Sequence, residues 1–241
     1  HIFDQQGFKS YLSGDIYARR NCYVQNSLLT TQFTGTNNFS ERFKLKYALG
    51  YSNITGSTPD RVQNSFIDNK NGTYTFLRFN SSDNHRFFAD LNEDDFSGNI
   101  TADLFAKDKE SAFKNIQFGF QGRWKNRTFN SRQIETIIGP SAAIRLDQVD
   151  NILNDGNLGN STSMNSFLYK ESYFAPNDYK ADLLVGASFL NFNFEFANRL
   201  KLIAGVRAEY SEQNTHYKDG SQTYDSKFKT KTIDALDILA A

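Results

Sequence analysis

The chain has 241 residues, of which 39% are hydrophobic and 15% are aromatic. Its 27 Lys and Arg balance its 27 Asp and Glu, so no basic excess points to nucleic acid as a partner. No run of about 18 apolar residues occurs, which excludes transmembrane helices. The 23 Phe and 12 Tyr, with only 3 Pro and 1 Met, are typical of strands joined by polar turns and not of a helical bundle.

Alternation of apolar and polar residues is the dominant pattern along the chain, and it predicts β-strands. The clearest case, residues 116–127, places its aromatic side chains on one face and its cations on the other. A change of parity within residues 181–196 predicts a β-bulge near Leu190. In chain order we expect about eight strands, at residues 8–18, 25–35, 43–52, 96–106, 116–127, 181–196, 200–210 and 224–232.

The predicted connections differ in length in a regular way. Short turns are expected at residues 36–40, 107–115 and 197–199, and long polar loops at residues 55–95 and 130–180. Short turns at one end of the strands and long loops at the other are typical of an outer-membrane barrel. Loops of about 40 to 50 residues are unusual in a compact domain that has no use for them.

Three features favour a membrane barrel over a soluble sheet. The strands run to roughly 12 to 15 residues, longer than the usual mode of about 5 or 6. Their polar face carries full charges, as a wet lumen would. Aromatic side chains that we expect at the lipid–water interface are Phe43, Tyr51, Phe118, Phe120, Trp124 and Tyr210. The fold class predicted is therefore all-β, an antiparallel transmembrane β-barrel segment.

Two segments resemble TonB-dependent receptor barrels of the kind found in Bacteroidetes. Residues 118–132, FGFQGRWKNRTFNSR, resemble a strand end of these barrels, and residues 202–211, LIAGVRAEYS, resemble a strand found in many of them. Residues 235–239, ALDIL, are similar to the entry into the next strand, where the family has Pro-Ser and this chain ends with Ala240 and Ala241. The resemblance covers about the second half of the chain.

The resemblance implies a receptor in the bacterial outer membrane that takes up a nutrient, whether a siderophore, a glycan or a peptide. Such barrels usually have 22 strands and a plug domain, so residues 1–241 would be part of one barrel domain, without the plug and the remaining strands. The chain starts without Met or a signal peptide, which suggests a mature, processed or partial chain. The implied partners are membrane lipid and lipopolysaccharide, the TonB complex through the plug, and a surface lipoprotein.

The candidate ligand or lumen residues are Arg123, Arg127, Arg132 and Arg207. They would attract an anionic ligand or pair with carboxylates of the plug. The alternative is that they only solvate a charged lumen wall.

The remaining motifs carry little chemistry. The acidic run that contains Asp90, Asp94 and Asp95 is a weak calcium candidate on a loop, without the Gly and Glu of an EF-hand. The three His lack the spacing of a catalytic site, so we expect neither an enzyme nor a cofactor. Cys22 is the only cysteine, which excludes an internal disulfide.

The alternative function is a soluble, secreted β-sandwich that binds glycans. It would use aromatic side chains of the first long loop, namely Tyr74, Phe76 and Phe79. The two functions differ in what covers the apolar faces of the strands, which is lipid in a barrel and a second sheet in a sandwich.

Overall fold

The computed structural model describes residues 2–8, 15–108, 110–159, 162–171, 178–196, 200–219 and 222–235. These residues form eleven strands and two short 3-10 helices, at Leu146–Asn151 and Asp155–Asn157. The strands are β1 (Ile2–Phe8), β2 (Asp15–Cys22), β3 (Gln25–Ser40), β4 (Phe43–Asp68), β5 (Tyr74–Phe76), β6 (His85–Phe105), β7 (Phe113–Ile138), β8 (Phe167–Glu171), β9 (Asp178–Phe196), β10 (Leu200–Asp219) and β11 (Gln222–Ala235).

All eleven strands belong to one antiparallel sheet. Its path runs β1-β2-β4-β6-β7-β9-β10-β11, and the strands β3, β5 and β8 pair along the sides of β4 and β7. The all-β antiparallel sheet confirms that part of the prediction, but the sheet has eleven described strands where about eight were expected. The described sheet is open, because β1 and β11 do not pair with each other.

Among the described residues, no helix has both the length and the apolar character needed to cross a membrane.

Apolar and polar side chains alternate along the long strands, so the part of the sheet nearest the short turns has two different faces. The face that contains Trp124 and the residues in register with it is called the apolar face below. The opposite face, which contains Arg123 and its register partners, is called the polar face. Register without a break between β6 and β7, from His85 to Phe105, keeps cross-strand partners on the same face over the whole length of these strands.

The prediction of long loops at residues 55–95 and 130–180 was wrong over much of their length. Strand β4 continues to Asp68, β6 begins at His85 and β7 continues to Ile138. These strand ends are rich in Asn, Asp and Ser, which the sequence pattern assigns to loops. Here the polar side chains bond across strands, as Ser57 Oγ does to Asp90 at 2.8 Å.

Three smaller predictions also need correction. Phe8 pairs with Asp15, so the chain reverses within residues 8–18 and these do not form one strand. Residues 36–40 are the end of β3, and the turn lies at residues 41–42. No bulge occurs at Leu190, since β9 and β10 pair in unbroken register from Asp178 to Phe196; the register shift is in β7, between Phe113 and Asn115. The turn predicted at residues 197–199 and the motif at residues 236–241 lie outside the described residues.

A compact hydrophobic core lies at the end of the sheet that has the long connections. It is built from strand ends and from the segment with the two 3-10 helices, and Phe66 at its centre is fully buried. We call this group the outer core; its buried members are Tyr17, Phe66, Phe76, Ile138, Ile144, Ile152 and Phe167. Tyr74 packs against it, so Tyr74 and Phe76 are not the free loop aromatics expected for glycan binding.

Candidate functional site

The apolar face is a broad hydrophobic surface that no described element covers. Phe120, Leu49 and Phe33 are each about 60% exposed although they lie in the middle of long strands. Leu49 lies opposite Gly98, which lies opposite Gly122, so the surface continues from strand to strand. Exposed apolar patches of this extent are rare on soluble monomers and mark a surface that is covered in the native setting.

One edge of this surface is an aromatic row. Tyr51, Phe96 and Trp124 are in register on β4, β6 and β7, with ring centroids 4.6 Å and 5.6 Å apart. At the opposite end of the strands, Phe39 stacks on Phe43 at 5.6 Å and Phe113 meets Phe194 at 5.7 Å. The apolar surface therefore has rings at both edges.

The next row of side chains on the same face, two residues further from the short turns than the aromatic row, is entirely polar. Its members are in register across five strands and are Asn53, Asp94, Asn126, Asp182 and Asn214. Asn126 Nδ2 donates to Asp182 at 2.7 Å, and Tyr51 in the aromatic row donates its hydroxyl to Asp94 at 2.8 Å. We call this group the Asn/Asp row. The surface changes from aromatic to carboxamide and carboxylate within one row.

The six predicted interface aromatics occupy three positions on the apolar surface. Phe43, Tyr51 and Trp124 lie at the edges of the apolar surface. Phe118 and Phe120 lie in its middle, opposite Ala102 and Ile100. Tyr210 lies one row inside the aromatic row, opposite Gly186, and its hydroxyl donates to Glu212 at 2.6 Å.

The polar face carries a charge cluster of which the sequence predicted the cations but not the carboxylates. Glu93 and Asp95 of β6 face Arg123, Lys125 and Arg127 of β7, and together these five residues form what we call the charge ladder. Glu93 is 1% exposed and accepts ion pairs from Arg127 and, at 2.8 Å, from Lys125. The sequence showed the cations, but the carboxylates looked like part of a loop.

The other two predicted cations also have partners. Arg132 pairs with Glu171 at 3.0 Å on an exposed part of the apolar-face side. Arg207 pairs with Glu209 at 2.6 Å and donates to Gln121 on the polar face. Each of the four predicted arginines is thus neutralised by a carboxylate of the sheet itself.

The acidic run does not converge on one point. Asp90 and Asp94 have the parity of the apolar face, whereas Asp95 has the parity of the polar face and pairs with Arg123. The run lies within β6 and not on a loop, which corrects that expectation. Within the described ranges, no group of three or more potential ligands is placed to hold a metal ion.

Beside the charge ladder, and sharing Lys125 and Arg127 with it, the polar face forms a groove of about 670 Å³ between β7, β9 and β10. Its lining also includes the carboxylates of Asp178 and Asp182 and the phenol rings of Tyr179 and Tyr217. Phe129 stacks on Tyr179 at 5.4 Å and fixes that ring at the rim. This mixture of charged, polar and aromatic groups suits the binding of a ligand.

No family model and no curated protein matches the chain. Among solved structures, the chain is similar to the siderophore receptor PiuA from Acinetobacter baumannii, with a TM-score of 0.33 and 10% sequence identity. The match covers 96% of this chain and 41% of that receptor, so the chain spans about two fifths of its length. A TM-score this low does not establish a shared fold.

Proposed function

We propose that this chain is part of the wall of an outer-membrane β-barrel of the TonB-dependent receptor class, which admits a nutrient. The observation that carries the proposal is the sidedness of the sheet. One face is apolar and uncovered, with Phe120 61% exposed, while the other face holds the charge ladder. Lipid on one side and water on the other stabilise such a sheet.

The dimensions of the apolar surface support a membrane. From Phe96 to Leu104 the apolar surface spans nine residues of β6, which is about 26 Å along the strand at about 3.3 Å per residue and about 20 Å in height at the usual tilt of about 35–45° for barrel strands. The apolar band of an outer-membrane barrel is about 25 Å tall. The aromatic row beside the Asn/Asp row is what a lipid–water boundary requires, because amphipathic rings lie at headgroup level.

The soluble β-sandwich is less well supported. A sandwich needs a second sheet about 10 Å from the apolar face. All described strands belong to one sheet, and Leu49 and Val206 on its apolar face are more than half exposed.

Spin labels at two neighbouring residues test the proposal. Phe120→Cys and Gln121→Cys, each with Cys22→Ser, place a label on either face at the same height. In lipid vesicles, we expect the label at residue 120 to collide with dissolved oxygen and not with a water-soluble nickel chelate, and the label at residue 121 to collide with the chelate. A sandwich core would shield residue 120 from both reagents, and that result would reject the membrane wall.

Uptake is tested separately in the source bacterium. A strain without the gene is grown with iron, glycan or peptide as the limiting nutrient in turn. We expect slower growth in one condition, restored by the gene and abolished again by an uncoupler, since TonB delivers energy from the proton gradient. Equal growth in all three conditions would reject nutrient uptake and leave a structural barrel.

A further inference from the structure

The outer end of the polar face contains a cationic cluster that lies apart from the charge ladder. Gln63 of β4 is the direct cross-strand partner of Arg20 on β2 and of His85 on β6. Arg61, two residues before Gln63, has the same parity and lies opposite Phe87. These residues therefore lie together on one face, and we call them the outer cationic cluster.

The hydrogen bonds hold the cluster in a fixed arrangement. Arg20 donates through Nε and Nη2 to Oε1 of Gln63, at 2.9 Å and 2.5 Å. The carbonyl of Ser82 accepts from Gln63 Nε2 at 3.1 Å and lies 3.0 Å from Nδ1 of His85. A guanidinium has five N–H donors, so Gln63 occupies only part of Arg20.

The cluster lacks the counter-charge that other arginines of this chain have. In the part of the chain that the structure describes, neither Arg20 nor Arg61 forms an ion pair, whereas Arg123 and Arg127 are matched by carboxylates. Glu135, the carboxylate in the same cross-strand row, lies beyond His85 on β7. Arg61 is held with its guanidinium 4.2 Å from the ring centroid of Phe87.

One buried donor in the cluster, Nε of Arg61, has no acceptor among the described residues. His85 is 5% exposed and holds the Ser82 carbonyl through Nδ1, so its Nε2 is the acceptor nitrogen of the neutral ring. Burial lowers the pKa of Arg61, and the nearby Arg20 lowers it further. A buried donor without an acceptor destabilises the fold, and more so when the group is charged. An anion placed between the two arginines would offset both the desolvation and the repulsion.

We infer that Arg20 and Arg61 of the outer cationic cluster bind a small anion that carries a phosphate or carboxylate group. Planar guanidinium groups bind these oxyanions through paired hydrogen bonds. The cluster is on the polar face, so the anion comes from water and not from the lipid that would cover the apolar face. The inference rests on the proposed function only in placing the site on an uptake path, and the binding is measured independently of transport.

Calorimetric titration of the purified protein with inorganic phosphate tests the inference. We expect saturable binding, weakened about 10-fold or more by Arg61→Gln and by Arg20→Gln, since each change removes charge-assisted hydrogen bonds. Arg145→Gln is the matched control, because Arg145 is 68% exposed and already paired with Asp147, and it should bind as the wild type does. Arg20 is exposed, so Arg20→Gln keeps the test valid if the Arg61 variant does not fold.

A second arm distinguishes the source of the anion. Mixed micelles with phosphatidylglycerol should not displace inorganic phosphate, whereas displacement would indicate a lipid headgroup and overturn the assignment to a soluble anion. Absence of saturable binding, or equal weakening by Arg145→Gln, would overturn the site itself. Neither result affects the spin-label test of the membrane wall, so the two proposals fail separately.

Discussion

Replacing Glu93 by Gln should destabilise the sheet more than any comparable change at an exposed ion pair. Glu93 is 1% exposed and faces two cations, Lys125 at 2.8 Å and Arg127. The amide of Gln keeps the shape and one acceptor but removes the charge. Asp95, which pairs with Arg123 and lies 3.5 Å from Lys125, is then the one carboxylate left in the charge ladder for three cations.

The magnitude follows from the burial of the partners. Removing one member of a fully buried ion pair costs about 3 to 5 kcal/mol. Lys125 is 24% exposed and Arg127 is 41% exposed, so water recovers part of their solvation. We therefore expect a loss of about 2 to 3 kcal/mol in the free energy of unfolding.

The assay is urea unfolding of the protein in lipid vesicles, followed by the fluorescence of Trp124. The control is Glu209→Gln, because Glu209 is 38% exposed and pairs with the partly exposed Arg207. This control should lose less than about 1 kcal/mol. If Glu93→Gln unfolds at the same urea concentration as Glu209→Gln, the charge ladder does not stabilise the wall and the reasoning is refuted.

Three further predictions concern other parts of the sheet. Gly119→Ala should destabilise the protein by about 1 to 3 kcal/mol in urea unfolding, because the added Cβ would lie 2.6 Å from Phe189 and 2.7 Å from a backbone oxygen. Gly186→Ala is the control and should be neutral, because the space around Gly186 is open. Phe66→Ala should cost about 3 to 5 kcal/mol locally, seen as faster amide exchange in the outer core with unchanged Trp124 emission; slow exchange would contradict a shared core. Burial lowers the pKa of His85, so on acidification the unfolded chain takes up a proton first and the folded state loses stability from about pH 7 downward. His85→Gln should make the melting temperature less dependent on pH. An unchanged pH dependence of the melting temperature would mean that another group causes it.

The alternation of residues 116–127 was enough to predict β7 and its two faces, because a strand with one apolar face needs every second residue apolar. The same pattern failed at residues 55–68 and 85–95, where β4 and β6 continue. There both faces carry polar side chains, and polar alternation cannot be told from a loop in one sequence. Cross-strand bonds such as Asn53 to Asp94 at 2.9 Å hold these ends together.

The charged sites show the same limit. Arg123 and Arg127 stood out because they alternate with aromatic residues. Their partners are distant in sequence: Asp95 is 28 positions from Arg123, and Glu93 is 34 positions from Arg127. Pairing of this kind depends on strand register, which the sequence does not specify across a long connection. Nothing in the sequence pointed to Arg61 as a site residue, because its unusual feature is the absence of a carboxylate among the described residues that surround it in the fold.

The most direct test of the central claim is quenching of tryptophan fluorescence by brominated lipid. The chain has a single Trp, Trp124, at the edge of the apolar surface. Trp124→Phe combined with Phe120→Trp moves the indole to the middle of the surface, and combined with Gln121→Trp moves it to the polar face. We predict shallow quenching for Trp124, deep quenching for the residue-120 variant and none for the residue-121 variant; equal quenching at all three positions, or at none, would contradict a membrane wall.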